Sequence, residues 1–324
     1  MVKPMRTIAS NSPGSGDNLY QVNGVAYVEG DLKLIHLRIL IIIIAQLQKE
    51  IRAMISGKGS HDMPDRKKLT IDVTSFRLTP RNGGRLRFYL DELRSTQVTF
   101  PHTPSFTGLI ENYSFPPYSK TVDIFLQKGM VSRLLLTEEG YSNYSKKAAM
   151  ELESKYTVRL YWLICSWRSK GGFIISVKDL RRILSLGPAY SREDNITTAI
   201  LRPAAIRLRA RYPIWFLFRF YGSGEERRIV FKIQTKVSEE QKKADFRSAW
   251  DVCFHLMHSV GANLATIEDV FAQVDYEDLK PFLSKLMSLT AHIRDHRIKN
   301  VNAYIRVAMQ DWLDDWSQHY TSLD

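Results

Sequence analysis

Apolar positions change period several times along this chain, and each change predicts an element. From residue 32 to 55 they recur at helical spacing, and the stretch Ile39 to Leu47 is apolar almost all round. A long buried helix is predicted there, with Asp31 as its N-cap and Ser56-Gly57 as its stop. Alternation in Leu69-Thr70-Ile71-Asp72-Val73-Thr74 predicts a strand. Arg85 to Arg94 reads as a short basic helix. Phe106 to Phe115 and Lys120 to Gln127 read as a strand pair joined by the Ser114-Phe115-Pro116-Pro117-Tyr118 loop, and Met130 to Leu136 as a short helix. The polar stretch Lys146 to Lys155 predicts a joining helix.

The order then repeats without sequence self-similarity. Val158, Tyr161, Trp162 and Cys165 set one face of a helix over Lys155 to Arg168. Gly171-Gly172 ends it, Phe173-Ile174-Ile175 is a brief strand, and Ser176 caps a helix from Val177 to Leu184. The next helix is predicted over Arg192 to Ala210. On a helical wheel Thr197, Ile200, Leu201, Ala204 and Leu208 share one face, and Asn195, Thr198, Arg202 and Arg209 the opposite one. Pro203 removes one internal hydrogen bond, so a kink or restart is expected there. Trp215 to Phe220, Gly222-Ser223-Gly224 and Arg228 to Ile233 complete a hairpin with a tight glycine turn. Helix, strand, helix, helix, strand, strand is the winged-helix order. Beyond it, Ser238-Glu239-Glu240 reads as a helix cap, and 238–324 as all-helical.

Charge separates these regions. Residues 152–237 carry 17 Lys and Arg against 6 Asp and Glu, whereas residues 238–324 carry 9 against 14. A compact cationic module most often meets nucleic acid, and an acidic appendage suggests a different partner. The residue types on the polar helix face suit a major groove: Arg can pair with guanine O6 and N7, and Asn with adenine N6 and N7. The expected contacts are Arg192, Asn195, Thr198, Arg202, Arg209 and Arg211, with Arg227 and Arg228 on the hairpin taking phosphates or the minor groove. In the first module the candidates are Arg85, Arg87, Arg94, Ser95, Thr96 and Gln97.

Taken as a set, Ser154-Lys155-Tyr156, Arg159-Leu160-Tyr161, Trp167, Lys170-Gly171, Phe173 to Ser176, Leu180-Arg181, Leu184, Tyr190-Ser191-Arg192, Leu201-Arg202-Pro203-Ala204 and Phe231-Lys232-Ile233 resemble the winged-helix initiator proteins of theta-replicating, iteron-bearing plasmids. The departures are Arg207 to Arg211, where family members often carry an acidic residue and an Asn, and the length of the tail from 238. The resemblance implies an α+β, mostly helical fold with two tandem winged helices, 19–145 (dimerisation and DNA contact) and 146–237 (main DNA-binding module); the acidic helical region over 238–324 is expected from its own periodicity and charge. Residues 1–18 are expected to be disordered. It also implies repeated double-stranded sites at an origin, origin opening, recruitment of the host initiator and replicative helicase machinery, and a homodimer in equilibrium with monomer that represses its own gene. The alternative is a transcriptional regulator whose helical tail dimerises it.

Several chemistries lack their residues. There is no Gly-x-x-x-x-Gly-Lys-Ser/Thr phosphate loop for nucleotide hydrolysis. No His-apolar-His pair accompanies a nucleophilic Tyr, so nicking is not expected. His255 with His258, or His292 with His296, could share a helix face but have no Cys or carboxylate at matching spacing. Asp311, Asp314 and Asp315 read as the solvated face of a tail helix. No enzyme activity, cofactor or metal is therefore expected. Two cysteines, Cys165 and Cys253, both in apolar helical patterns, give no disulfide framework. The longest apolar run, Ile39 to Ala45, is far short of the ~20 residues that span a bilayer, so a bacterial cytoplasmic protein without membrane contact is expected.

Overall fold

A computed structural model describes residues 17–317 apart from 61, 63, 77–84, 102–105, 137–139, 238 and 297. The chain is α+β and divides into two compact units. One comprises residues 1–166 with 177–204, the other 167–176 with 205–324.

In the first unit, strand β1 (Asn18–Val22) pairs antiparallel with β7 (Tyr141–Ser145). Residues 1–16 of the expected disordered segment lie outside the described residues. Asp17 and Asn18 are held instead: Asn18 pairs with Ser145, and the Asp17 carboxylate accepts from the Ser145 hydroxyl and the Lys147 amide. The predicted long helix is two, α1 (Leu34–Gln46) and α2 (Gln48–Ile55), divided at Leu47. Its N-cap is Lys33, not Asp31. Asp31 forms an ion pair with Lys155 at 2.9 Å, which holds its carboxyl below the usual range. Ile39 to Ile44 are all buried, as an all-round apolar helix requires. Gln48 anchors β1 by accepting from the Tyr20 amide and donating to the Tyr20 carbonyl, both at 2.8 Å.

A three-stranded sheet follows, with β2 (Arg66–Asp72) and β5 (Asn112–Ser114) flanking β6 (Thr121–Gln127). Alternate residues Val122, Ile124 and Leu126 of β6 are buried, so its period of two marks the core face. Helix α3 (Leu86–Ser95) buries Leu86, Leu90 and Leu93. It leads into the short pair β3 (Gln97–Val98) and β4 (Phe106–Thr107). Helix α4 (Lys128–Leu135) and the Ser145-capped α5 (Lys146–Glu151) complete this part.

Helix α6 (Lys155–Trp167) adds to the same core: Tyr161 accepts from the Ser145 amide, and Tyr144 packs against Tyr161 and Trp162. Helix α7 (Val177–Leu184) buries Leu180, Ile183 and Leu184. Where a kink was expected at Pro203, the chain makes α8 (Glu193–Ile196), a π turn over Thr197–Leu201, and α9 (Arg202–Arg211). Pro203 has no N–H for the carbonyl four residues back, and a widened turn accommodates that loss without breaking the helix.

The second unit holds the sheet β8 (Gly172–Ser176), β10 (Arg228–Thr235) and β9 (Ile214–Tyr221), with β10 central. The glycine turn is wider than predicted. Gly222 and Gly224 both have positive φ, but a 3-10 turn over Gly224–Glu226 lies between the strands. The helices α10 (Glu239–His258), α11 (Leu264–Phe271), α12 (Leu279–Asp295) and α13 (Val301–Ser317) enclose their own core around Cys253, Met257, Phe282, Leu286, Ile305 and Met309. The expected cap residue Ser238 lies outside the described residues.

These helices are joined to the sheet. Lys232 of β10 forms an ion pair with Asp278 at 2.5 Å, their side chains 12% and 7% exposed. Gly171, at φ 74°, lies so close to Pro281 that a Cβ would sit 2.6 Å from its Cδ. Both contacts tie α12 to the strands.

Candidate nucleic-acid interface

In the first unit, the predicted polar face from 192 to 202 separates cleanly from the core. Arg192, Asn195, Thr198 and Arg202 are exposed, while Ile196, Ile200, Leu201 and Ala204 are buried. Two residues depart from the predicted wheel: Thr197 is only half-buried, and Ile196 is in the core. The π turn rotates the register that a uniform 100° step assumes.

Local bonds orient this face. The Asn195 amide donates to the Ala189 carbonyl at 2.8 Å, and the Thr198 hydroxyl donates to the Asp194 carbonyl at 2.7 Å. Arg192 pairs with Asp194 at 3.3 Å, with both side chains more than three-quarters exposed. Such a pair is weak in water and yields readily to a phosphate.

The same unit carries the first-module candidates. Arg87 and Arg94 are seven residues apart on α3, hence on one face, with Asp91 between them 3.6 Å from Arg94. Arg87 donates to the Phe115 carbonyl and lies 5.4 Å from that ring's centroid. Arg85 is exposed at the helix start. The hydroxyls of Ser95 and Thr96 are turned back on the carbonyls of Asp91 and Glu92, capping the helix end, while Gln97 is exposed in β3. Composition alone does not reveal that Ser95 and Thr96 serve the helix terminus.

In the second unit, Arg209 and Arg211 are exposed at the end of α9, and Arg228 at the start of β10. Arg227 folds back on its own hairpin, donating to the Gly222 carbonyl and lying 5.4 Å from the Phe220 ring centroid. The sheet beneath is stiffened by Phe173, Phe216 and Phe231, with Phe173 and Phe231 stacked at 4.7 Å.

Sequence reasoning missed the role of Arg159. It is 1% exposed and donates to the carbonyls of Val28 (2.9 Å), Gly30 (2.8 Å) and Ile183. Burial lowers its pKa to about 10, which still leaves it charged at neutral pH. Arg182 is likewise engaged, by Glu29 at 2.7 Å and Asp179 at 2.9 Å. Strong cationic density in the sequence is therefore partly structural.

Among the described residues, no group of three or more His, Cys, Asp or Glu could hold a metal ion. His292 and His296 stack at 4.0 Å instead. Cys165 and Cys253 are both buried and outside any disulfide, and burial pushes the Cys253 thiol up to about 12, far from a reactive thiolate. Among the described residues no helix is long and apolar enough to cross a membrane.

Residues 18–165 match the family model described as initiator replication protein, WH1. No curated protein matches the chain. The matched span runs from β1 through most of α6, so it includes Arg159 and the elements that carry Arg85, Arg87 and Arg94. The match supports a Rep-type plasmid replication initiator with a winged-helix fold over these residues.

Proposed function

We propose that this chain is a plasmid replication initiator that binds repeated double-stranded sites at an origin, and that residues 146–237 act as a second winged helix. The separation of an exposed Arg192, Asn195, Thr198 and Arg202 face from a buried Ile196, Ile200, Leu201 and Ala204 face carries this reading. Arg and Asn there can read base edges, while Arg209, Arg211, Arg227 and Arg228 suit phosphates or the minor groove. The first winged helix contributes Arg85, Arg87 and Arg94, with Thr96 and Gln97 near the end of their helix. The work done on DNA is binding and deformation, not covalent chemistry.

In this reading monomers on direct repeats open the adjacent A·T-rich DNA and recruit the host initiator and helicase machinery. Homodimers repress the chain's own gene at an inverted repeat. The working compartment is the bacterial cytoplasm.

A footprint of the full chain on the plasmid origin tests this. Protection repeating at ~20 base-pair intervals on direct repeats is expected. Protection of a lone inverted repeat, with direct repeats left open to cleavage, would make the chain a transcriptional regulator instead.

A further inference from the structure

Tyr118 has a side chain that is wholly exposed, at 104% of its reference area, on a backbone with φ 60°. Left-handed φ is unfavourable for a bulky L-residue and persists only where its surroundings impose it. No burial of the ring compensates for it. Such an outlier points to a use for the exposed ring.

The surroundings are rigid. Pro116 and Pro117 fix two φ angles just before it. The Ser119 amide donates to the Pro116 carbonyl at 3.3 Å. The Ser119 hydroxyl donates to the Thr121 carbonyl at 2.7 Å and accepts from the Thr121 amide at 3.2 Å. At the base of the loop, Arg87 donates to the Phe115 carbonyl, and the Tyr113 hydroxyl donates to the Arg87 carbonyl at 3.4 Å. The loop between β5 and β6 is thus clamped to α3 and holds one aromatic ring at its tip.

Its charge indicates the partner. From Asn112 to Val122 there is no Asp or Glu, Lys120 is exposed two residues after the ring, and Arg87 is exposed at the loop base. A ring at a tip of Ser and Pro, with Lys120 and Arg87 in the same loop and its base, lacks the contiguous apolar area of a protein-docking patch. It does match what a nucleobase needs: a flat face to stack on, with cations for the neighbouring phosphates.

We infer that Tyr118 is a wedge that inserts at a duplex base step and unstacks it, with Lys120 and Arg87 holding the flanking phosphates. This rests on the reading that the first winged helix meets DNA. A preset ring loses little conformational freedom on insertion, and an unstacked step is where strand opening starts most easily.

The test uses the full chain and a set of origin duplexes carrying 2-aminopurine at successive positions, with affinity followed by anisotropy. Wild type and Tyr118→Trp should change fluorescence at one or two adjacent positions. Tyr118→Ala and Tyr118→Gly should lose that change about fivefold or more, while affinity falls less than tenfold. Glycine suits the positive φ, so Tyr118→Gly removes the ring without straining the loop. A wild-type signal that survives both substitutions, or binding with no local signal at any position, overturns the wedge. Absence of any wild-type binding in anisotropy would instead overturn the DNA-binding reading beneath it.

Discussion

The guanidinium of Arg159 donates to the carbonyl oxygen of Gly30 at 2.8 Å, and the hydroxyl of Ser185 donates to the same oxygen at 2.7 Å. The buried cation is met by main-chain carbonyls of two segments, 28–30 and the end of α7, with Asp31 and Glu29 adding longer-range attraction. Gly30 is suited to the position because its φ is 133° and a Cβ would lie 2.6 Å from the Gln97 carbonyl. The bond joins α6 and the end of α7 to the loop that precedes α1.

Loss of Arg159 should therefore cost stability well beyond its surface charge. Arg159→Ala removes the guanidinium donor from the Val28 and Ile183 carbonyls and leaves Gly30 to Ser185 and the Leu32 amide, and should lower the unfolding free energy by about 3–5 kcal/mol. Arg159→Lys should recover only part, because one ammonium nitrogen cannot take the two separated positions that Nη1 and Nη2 occupy. Urea denaturation measures both, and a loss below about 1 kcal/mol for the alanine variant would contradict the account.

His36 gives the first unit an acid-sensitive point. It is 1% exposed, its Nδ1 accepts from the Lys33 amide, and its Nε2 lies 3.4 Å from Glu92. Burial lowers its pKa below 6.5; Glu92 opposes that shift and Lys33 adds to it. Because the folded state resists protonation more than the unfolded one, this stability is full above pH 6.5 and is lost as the pH falls below it. The melting temperature should fall between pH 7.5 and 5.5, and the fall should be smaller in His36→Gln. An equal fall in both proteins would rule His36 out.

The Lys232–Asp278 pair makes the acidic helices part of the sheet's support. Asp278→Ala removes the carboxylate beside a nearly buried ammonium and should cost about 3–5 kcal/mol, whereas Lys232→Met with Asp278→Leu should cost much less. Thermal melts of the three proteins check this. From sequence alone, removal of residues 238–324 is expected to spare DNA binding. With α12 packed on β10 and Gly171, truncation should instead weaken it, as electrophoretic mobility shifts would reveal.

On DNA, Arg202→Ala and Arg209→Ala should each weaken specific binding by ~1–3 kcal/mol if the side chains read bases. Competition titrations against random duplex distinguish the roles. An equal loss on both DNAs would mark them as phosphate contacts.

The sequence by itself determined most of the elements, though not the break at Leu47 or the π turn over Thr197–Leu201, and much of the chemistry. The all-round apolar run at 39–47, the alternation in 69–74 and the wheel at 195–209 each follow from local periodicity, which depends only on backbone geometry. Excess Arg and Lys over 152–237 likewise needs no coordinates.

Only tertiary structure decided which of those charges are available and what fixes their positions. Arg159 and Arg182 are equally cationic in sequence, yet one is buried among carbonyls and the other held by Glu29 and Asp179. Val28 and Gly30 lie far along the chain from Arg159, as Glu29 does from Arg182, and no local period encodes a pairing between residues 30 and 159. The same holds for Lys232 with Asp278, and for Tyr118, whose exposure depends on a clamp between α3 and a distant loop. Local geometry sets which face a residue takes, while long-range packing sets what that face meets.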